Sequence, residues 1–382
     1  MGTRGHSEGI TMSGGGLYSL ATIGAKHVID AATPMVVAAI NDLPQQAFAD
    51  GFTFSDMGTA DAGTSLSMIG KAIDAVSARA PNAPVTVVYS DQPRNDFNAL
   101  IANVYGLGPF ETYLKRRDDI FPMVSGTTFY KQIVPGGTLD LGFSATAMHW
   151  LSDKVCNISN HVQAVGARGE ELEAFRRQAH QDWQQILLHR ARELKPGGKL
   201  VLINFARDEQ GYYLGNTGGV NMFDTFNRIW RDFLEQNRIT QVEYENMTLP
   251  QYYNTVEEFS VPLQNQDEAV YQAGLRLDHI DTRIVKCPFA ESFVEHGDAA
   301  RFAEEYIPTI RSWNESIFFN ALADDRPLEE RRQIIEDYYG TYRDLVRTNP
   351  AGHGMDYVHA YMVISKIGEL FASKESEHNF RN

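Results

Sequence analysis

Cysteine is nearly absent. The 382-residue chain carries two, Cys156 and Cys287, too few and too far apart for a disulfide framework or a metal knuckle. Free thiols in a reducing, cytoplasmic setting are the expectation. Basic residues are also scarce, 34 Lys and Arg against 49 Asp and Glu, for a net charge of −15. Nucleic acid and anionic membrane surfaces are disfavoured as partners, because both reward a basic face. No apolar run reads as long enough to span a bilayer, and the Gly-rich start from Met1 to Gly16 lacks the apolar segment of a signal peptide. A His-Glu-x-x-His pair and a Walker loop are missing too, which lowers metalloenzyme and nucleotide-hydrolase readings, and no metal site is expected.

Against these gaps, 43% hydrophobic and 11% aromatic content supplies a sizeable core. The most informative stretch is Phe52 to Asn98. Phe52 and Phe54, and later Val85, Val87 and Val88, are aromatic or β-branched and mark two strands. Leu66, Ile69, Ala72, Ile73 and Val76 recur at helical spacing between them. The result is a βαβ unit, whose ligand belongs at the carboxyl ends of its strands. The turn Gly58-x-Ala60-x-x-Gly63 is one substitution from a dinucleotide fingerprint, and Gly58 and Gly63 allow a tight bend and close approach of a ligand. A carboxylate in that turn, Asp61, would repel a pyrophosphate, which disfavours an NAD(P)-dependent oxidoreductase. Two acids flanking the turn, Asp56 and Asp61, suit a cation better. S-adenosylmethionine is such a ligand, with a sulfonium, an ammonium and a ribose diol from which Asp91 can accept twice. Asp61 stands equally well as a helix cap, as do Asn95 and Asp96 for the next helix.

Elsewhere, Ser13 to Ser19 holds three glycines at a helix entrance, a linker or a ligand-covering segment. Helical patterns run through Ile23 to Ile29 and from Met35 to Ile40, and Leu100, Ile101 and Val104 form the buried face of a helix after Pro93. Phe121 to Gly126 reads as a third strand, and Leu139, Leu141 and Phe143 as a fourth that opens into His149 and Trp150. Glu170 to Glu193 is a long helix closed at Lys195-Pro196-Gly197-Gly198, and Lys199 to Phe205 a fifth, buried strand. Alternating strand and helix predict a doubly wound parallel sheet. Between Gly211 and Phe319 the alternation fails, giving an inserted helical region; Arg326 to Leu345 reads as a charged, solvated helix face, and Tyr357 to Ile364 as a late strand. His149 and Trp150 can sandwich a flat anionic substrate, or else cap and pack the following helix.

Ser90-Asp91-Gln92-Pro93-Arg94-Asn95-Asp96-Phe97-Asn98 resembles the Asn-Asp-Leu-Pro-x-Asn-Asp-Phe-Asn motif of the SABATH methyltransferases. Further stretches resemble that family in the same order: Gly14 to Ala21, Thr128 to Pro135, Ser144 to Ser152, Arg190 to Leu202 and Leu249 to Tyr253. The resemblance implies an α/β, Rossmann-like class I methyltransferase sheet with an α-helical cap. Residues 1–210, 275–288 and 340–372 would form the cofactor domain, and residues 211–274 and 289–339 the cap. It also implies a homodimer that methylates a small, aromatic carboxylic acid with S-adenosylmethionine, leaving S-adenosylhomocysteine. Ser19, Asp56, Gly58, Asp61, Asp91, Gln92, Asn95, Thr128 and Phe129 would line the cofactor site, with Asp91 on the ribose, Thr128 and Phe129 near the adenine and Asp56 at the methionine end. His149 and Trp150 would face the reacting acceptor, and Lys26, Thr146 and Trp230 would complete its pocket.

Departures from the family pattern fall on the acceptor side. Where those enzymes place a Gln that holds the acceptor carboxylate, this chain offers Ala25 or Lys26, and the pocket Tyr becomes Thr146. N-methylation of a purine-like heterocycle is therefore an alternative: it would use neutral donors and acceptors around His149, whereas a carboxylate would favour a cation such as Lys26. A non-catalytic binding protein on the same fold is a further one.

Overall fold

The computed structural model describes residues 17–368; the glycine-rich entrance at residues 13–16 lies outside them. The chain opens with α1 (Leu17–Ala21) and α2 (Ile23–Asn41). It then alternates through β1 (Phe52–Met57), α3 (Leu66–Arg79), β2 (Val85–Ser90), α4 (Phe97–Val104) and β3 (Ile120–Ser125), and continues with β4 (Leu139–Ala145), α5 (Gly169–Glu193) and β5 (Leu194–Arg207). Next come α6 (Met222–Glu235), α7 (Gln241–Asn246), β6 (Asn254–Thr255), α8 (Val256–Gln264), α9 (Ala269–Gln272) and β7 (Leu275–Val285). The last elements are α10 (Pro288–His296), α11 (Ala299–Ala321), α12 (Leu328–Thr348) and β8 (Tyr357–Lys366).

The sheet runs β3-β2-β1-β4-β5-β8-β7, with the two-residue β6 paired to the end of β5. Its first five strands are parallel, while β8 lies antiparallel between β5 and β7. Strand order reverses between β1 and β4, so the ligand crevice of a doubly wound sheet belongs above their carboxyl ends. The inner strands are covered on both faces. That is why Leu200-Val201-Leu202-Ile203 is an unbroken apolar run, each residue fully enclosed. Burying such side chains contributes about 1.5 to 3 kcal/mol apiece. Edge strand β3 is different: Phe121 and Met123 are exposed, and Pro122 sits where no further strand needs its N–H.

Several elements differ from the sequence reading. The two patterns from Ile23 to Ile40 are one helix, α2, which continues through Pro34. Its 19 residues, at mean hydropathy 1.3, are long and apolar enough to cross a membrane, contrary to expectation; in this fold half of that window is buried, and α2 packs against α3, β4, β5 and β8. On α4, Leu100 and Val104 are enclosed but Ile101 is exposed. Within 211–319, β6 and β7 return to the sheet. Helix α12 is not simply a solvated face: Ile334, Ile335, Tyr338, Tyr339, Tyr342 and Val346 pack inward against the cap, and charges such as Glu336, paired with Arg311, ring the outside. The boundary drawn at 340 falls inside this helix.

The cap core is aromatic. Trp230 on α6 stacks edge-on against Phe318 of α11 and Tyr338 of α12, at ring separations of 5.2 and 5.7 Å. Such pairs add about 0.5 to 1.5 kcal/mol beyond burial alone.

Candidate active site

The crevice begins in backbone that is hard to hold. Past β1, Gly58 has φ +76°, and the non-glycine residues Ala60 and Ala62 have φ of 49° and 63°. On the facing bank, past β4, Thr146 has φ of 56°. Left-handed L-residues cost about 1 to 2 kcal/mol each, so surrounding bonds must fix them. Asp91 supplies two: its carboxylate accepts from the Ala60 N–H and the Gln92 N–H, each at 2.7 Å. Asn95 does not cap α4 but donates from Nδ2 to the Ala60 carbonyl at 2.7 Å; Asp96 caps, accepting from the Ala99 N–H at 3.1 Å. At Gly58 a Cβ would lie 2.4 Å from the Ala147 Cβ and 3.7 Å from the Phe129 ring, so the two banks touch there.

Three carboxylates cluster at this turn. Asp56 is buried and accepts from the Thr59 and Ser65 hydroxyls at 3.0 and 2.6 Å. Burial, reinforced by Asp91, pushes its carboxyl up to about 6. Burial also raises Asp91, against its two backbone donors. Asp61 does not cap α3, whose N-cap is Ser65. It accepts from the Ser19 N–H at 3.2 Å, from the Ser19 hydroxyl, and from the Gly63 N–H at 3.3 Å, which straps α1 to the turn. Among the described residues no Lys, Arg or His forms an ion pair with Asp56, Asp61 or Asp91, whose partners are hydroxyls and backbone N–H groups. Gln92 and Thr128 are half-buried at the rim.

The loop carrying Thr128 and Phe129 is held from behind by a buried ion pair. Arg190 and Glu193, one turn apart on α5, face each other at 2.5 Å with almost no exposure. Arg190 donates to the Phe129 and Lys131 carbonyls at 2.9 and 2.8 Å, and Glu193 accepts from the Ile133 N–H at 2.5 Å.

Beside the turn lies a narrow cavity of about 40 Å³. His149, Trp150, Phe205, Leu214, Trp313, Met355 and Tyr357 give it an aromatic and apolar lining, and Tyr18, Thr22, Thr146 and Gln251 add polar groups beside Ala25. Burial lowers the His149 imidazole to about 3, so it is neutral at ordinary pH. Its Nδ1 has no partner among the described residues, and its ring meets Phe205 edge-on at 4.6 Å and tilts against Trp150 at 5.3 Å. No helix starts at this point for His149 to cap: Leu151 donates its N–H to the Pro250 carbonyl, and Tyr252 donates to the His149 carbonyl at 3.1 Å. Tyr18 joins cavity and turn. Burial and then Asp61 push its phenol up to about 12.

Two sequence-predicted pocket residues lie elsewhere. Lys26 points along α2 and pairs with Asp30 at 2.5 Å, half-exposed, while its neighbour Ala25 lines the cavity. Helical spacing separates consecutive residues by about 100°, so only one of the two can face inward. Trp230 is fully enclosed in the cap core, and the cap tryptophan at the cavity is Trp313 of α11. Sequence reasoning also missed Gln251, Phe205 and Tyr357. Gln251 lay within a recognised motif, Leu249 to Tyr253, but no pattern there marked it as facing a pocket.

A doubly wound sheet whose switch point carries an acidic turn, with an aromatic cavity beside it, has the Rossmann-like fold of class I methyltransferases. Residues 10–366 match the family described as SAM dependent carboxyl methyltransferase, and the chain belongs to that family. Loganic acid methyltransferase with SAH has the same fold: TM-score 0.73 over 94% of this chain and 99% of that one, at 19% identity. Methyltransferase LUC1 of Fusarium sp is 31% identical over 218 residues, 55% of this chain and 56% of that protein. Indole-3-acetate O-methyltransferase 1 of Arabidopsis thaliana is 25% identical over 227 residues, 54% of this chain and 59% of that protein. The chain thus spans a little over half the length of these curated relatives.

Proposed function

We propose that this chain esterifies a small, aromatic carboxylic acid with the methyl group of S-adenosylmethionine. The observation that carries the reading is the adjacency of an anionic turn and an uncharged aromatic cavity, linked through Tyr18, Thr146 and Ala147. The turn suits this cofactor because Asp56 and Asp61 carry negative charge for its cationic end and Asp91 for its ribose, and because glycine at 58 lets the turn close against Ala147 where a Cβ would clash. Asp91 would hold the ribose, Asp56 and Asp61 the cationic end, and Thr128 and Phe129 the adenine, with Ser19, Gln92 and Asn95 shaping the rim. When bound, the cofactor supplies an electrophilic methyl on a sulfonium.

The chain's own part is positional. A carboxylic acid of pKa about 4 is already ionised at neutral pH, so no residue need remove a proton. The cavity excludes water and fixes the acid, and such alignment can lower a barrier by about 7 to 11 kcal/mol. Neutral His149 orients and does not act as a base, and Trp150, Phe205 and Trp313 grip an aromatic ring. His149→Ala is expected to raise the acceptor KM while S-adenosylhomocysteine affinity holds.

The uncharged lining favours a second reading, N-methylation of a purine-like heterocycle, which neutral donors and acceptors would suit. Incubation with labelled S-adenosylmethionine and a panel of aromatic, indolic and fatty acids beside xanthines separates the two: base-labile methyl ester on an acid supports the first, stable N-methyl product the second. A homodimer is proposed from the motif resemblance alone, and a cytoplasmic setting from the two unpaired cysteines.

A further inference from the structure

Among the described residues no Lys or Arg lines the cavity, so the groups seen there would hold an acceptor's oxygens without a cation. A desolvated carboxylate then depends on neutral N–H and O–H donors, and a buried donor with no protein partner is the expected signature of one reserved for a ligand. Gln251 has that signature. It is fully enclosed, it lines the cavity, and its Nε2 has no partner among the described residues. Its other end is committed: Oε1 accepts from the Tyr253 hydroxyl at 3.0 Å, which directs the N–H₂ away from Tyr253. The backbone is fixed as well. Gln251 forms an isolated bridge with Trp150, and its N–H donates to the Leu249 carbonyl at 2.8 Å, so the residue is held beside Trp150 at a cavity that His149 also lines.

From this we infer that Gln251 is the residue that selects a carboxylate acceptor. Its Nε2 donates to one acceptor oxygen and, with the His149 ring beside it, leaves the other to be methylated. The inference rests on the acid-esterifying reading above and deepens it: the substrate is an acid whose carboxylate enters a cation-free pocket next to a single committed carboxamide, its ring lying against Trp150 and Trp313. The role is one of binding and orientation; the bond formed is carboxylate oxygen to methyl carbon, the departing electron pair stays on sulfur, and no proton moves.

The test uses Gln251→Glu and Gln251→Leu in the full chain. Glutamate keeps an oxygen for the Tyr253 hydroxyl and replaces the free donor with a negative charge, and leucine removes the donor at similar volume. With an acid that the wild type esterifies, both variants are expected to raise acceptor KM by about ten- to 150-fold at pH 8, the range for a hydrogen bond to a charged group. Calorimetric affinity for S-adenosylhomocysteine should stay within twofold, which reports an intact fold. Between pH 8 and 5 the Q251E defect should shrink as its carboxyl gains a proton and becomes a donor. The Q251L defect should not, and this split is one that a merely structural role would not produce. Acceptor KM within twofold of wild type in either variant, with cofactor product still bound, overturns the inference but leaves the ester-forming reaction standing. If the wild type esterifies no acid and methylates only a heterocycle, both readings fall together.

Discussion

Asp91→Ala separates cofactor recognition from the turn that makes it possible. In the native turn each Asp91 oxygen already accepts one backbone N–H at 2.7 Å, from Ala60 and from Gln92, and Ala60 is buried with a left-handed backbone. Truncation does two things. It leaves the Ala60 N–H without its acceptor, costing about 1 to 3 kcal/mol of stability. It also removes the charged acceptor proposed for the ribose diol, a further loss of about 1.5 to 3 kcal/mol in binding, or roughly ten- to 150-fold in Kd. Asp91→Asn divides these effects: one carbonyl oxygen remains to accept, but the amide N–H₂ is set against the second backbone N–H and the charge is gone. Denaturant unfolding gives the first quantity, and calorimetry with S-adenosylhomocysteine under conditions where each variant is fully folded gives the second. A folded Asp91→Ala protein with wild-type affinity would falsify the ribose role, whatever its stability.

The remaining predictions concern what surrounds that turn. Arg190→Met leaves Glu193 charged and buried, so urea denaturation should show a loss of about 3 to 5 kcal/mol; a loss under 1 kcal/mol would mean that the pair does not anchor the Phe129 loop. Gly58→Ala forces a Cβ to within 2.4 Å of Ala147 and should abolish S-adenosylhomocysteine binding, whereas Gly137→Ala, also left-handed but with no atom nearby, should cost only its backbone strain. Equal effects at the two glycines would refute the close-approach argument. His149, His353 and His359 are all held below their ordinary range by burial, to about 3, about 4 and well below 6.5. Each therefore takes up its proton on unfolding, and the stability from its neutral burial is lost as pH falls through 6.5. In His359→Phe the slope of unfolding free energy between pH 6 and 5 should flatten by about 1.4 kcal/mol per unit; an unchanged slope would show that His359 is protonated in the fold.

The parallel half of the sheet was legible because its strands are short apolar runs between turn signals, and α3 because Leu66, Ile69, Ile73 and Val76 keep strict helical spacing. The turn acids could be read as well, since Asp56, Asp61 and Asp91 follow the strand ends directly. Their partners could not. The strap from Asp61 to Ser19 spans 42 residues, and the hold of Arg190 on Phe129 spans 61. The acceptor cavity was least legible, for it is assembled from α1, α2, the ends of β4 and β5, α11 and the approach to β8. Trp230 and Trp313 both sit in apolar cap helices, and only packing of α11 and α12 over α6 decides which is enclosed and which meets the cavity. Gln251 illustrates the same limit: a glutamine in an aromatic loop reads as surface until Tyr253 is seen to hold its oxygen.

The division of charge in the site also orders events. At an effective dielectric of about 20, two like charges about 6 Å apart repel by about 3 kcal/mol. An acceptor carboxylate entering an empty site would meet the Asp56, Asp61 and Asp91 cluster through Tyr18 and Thr146 with no cation between, and that repulsion opposes its entry. Once a cationic cofactor lies against the cluster, its sulfonium offsets part of that repulsion beside the cavity, and the neutral carboxamide of Gln251 and ring of His149 fix direction. A lysine in the cavity would hold the acid without the cofactor, and would also stabilise the carboxylate in the ground state more than in a transition state where its charge is being lost. With no such cation among the described residues of the cavity, and Lys26 turned out to Asp30, the site depends on its cofactor to ease entry of the acid and on neutral donors to aim it.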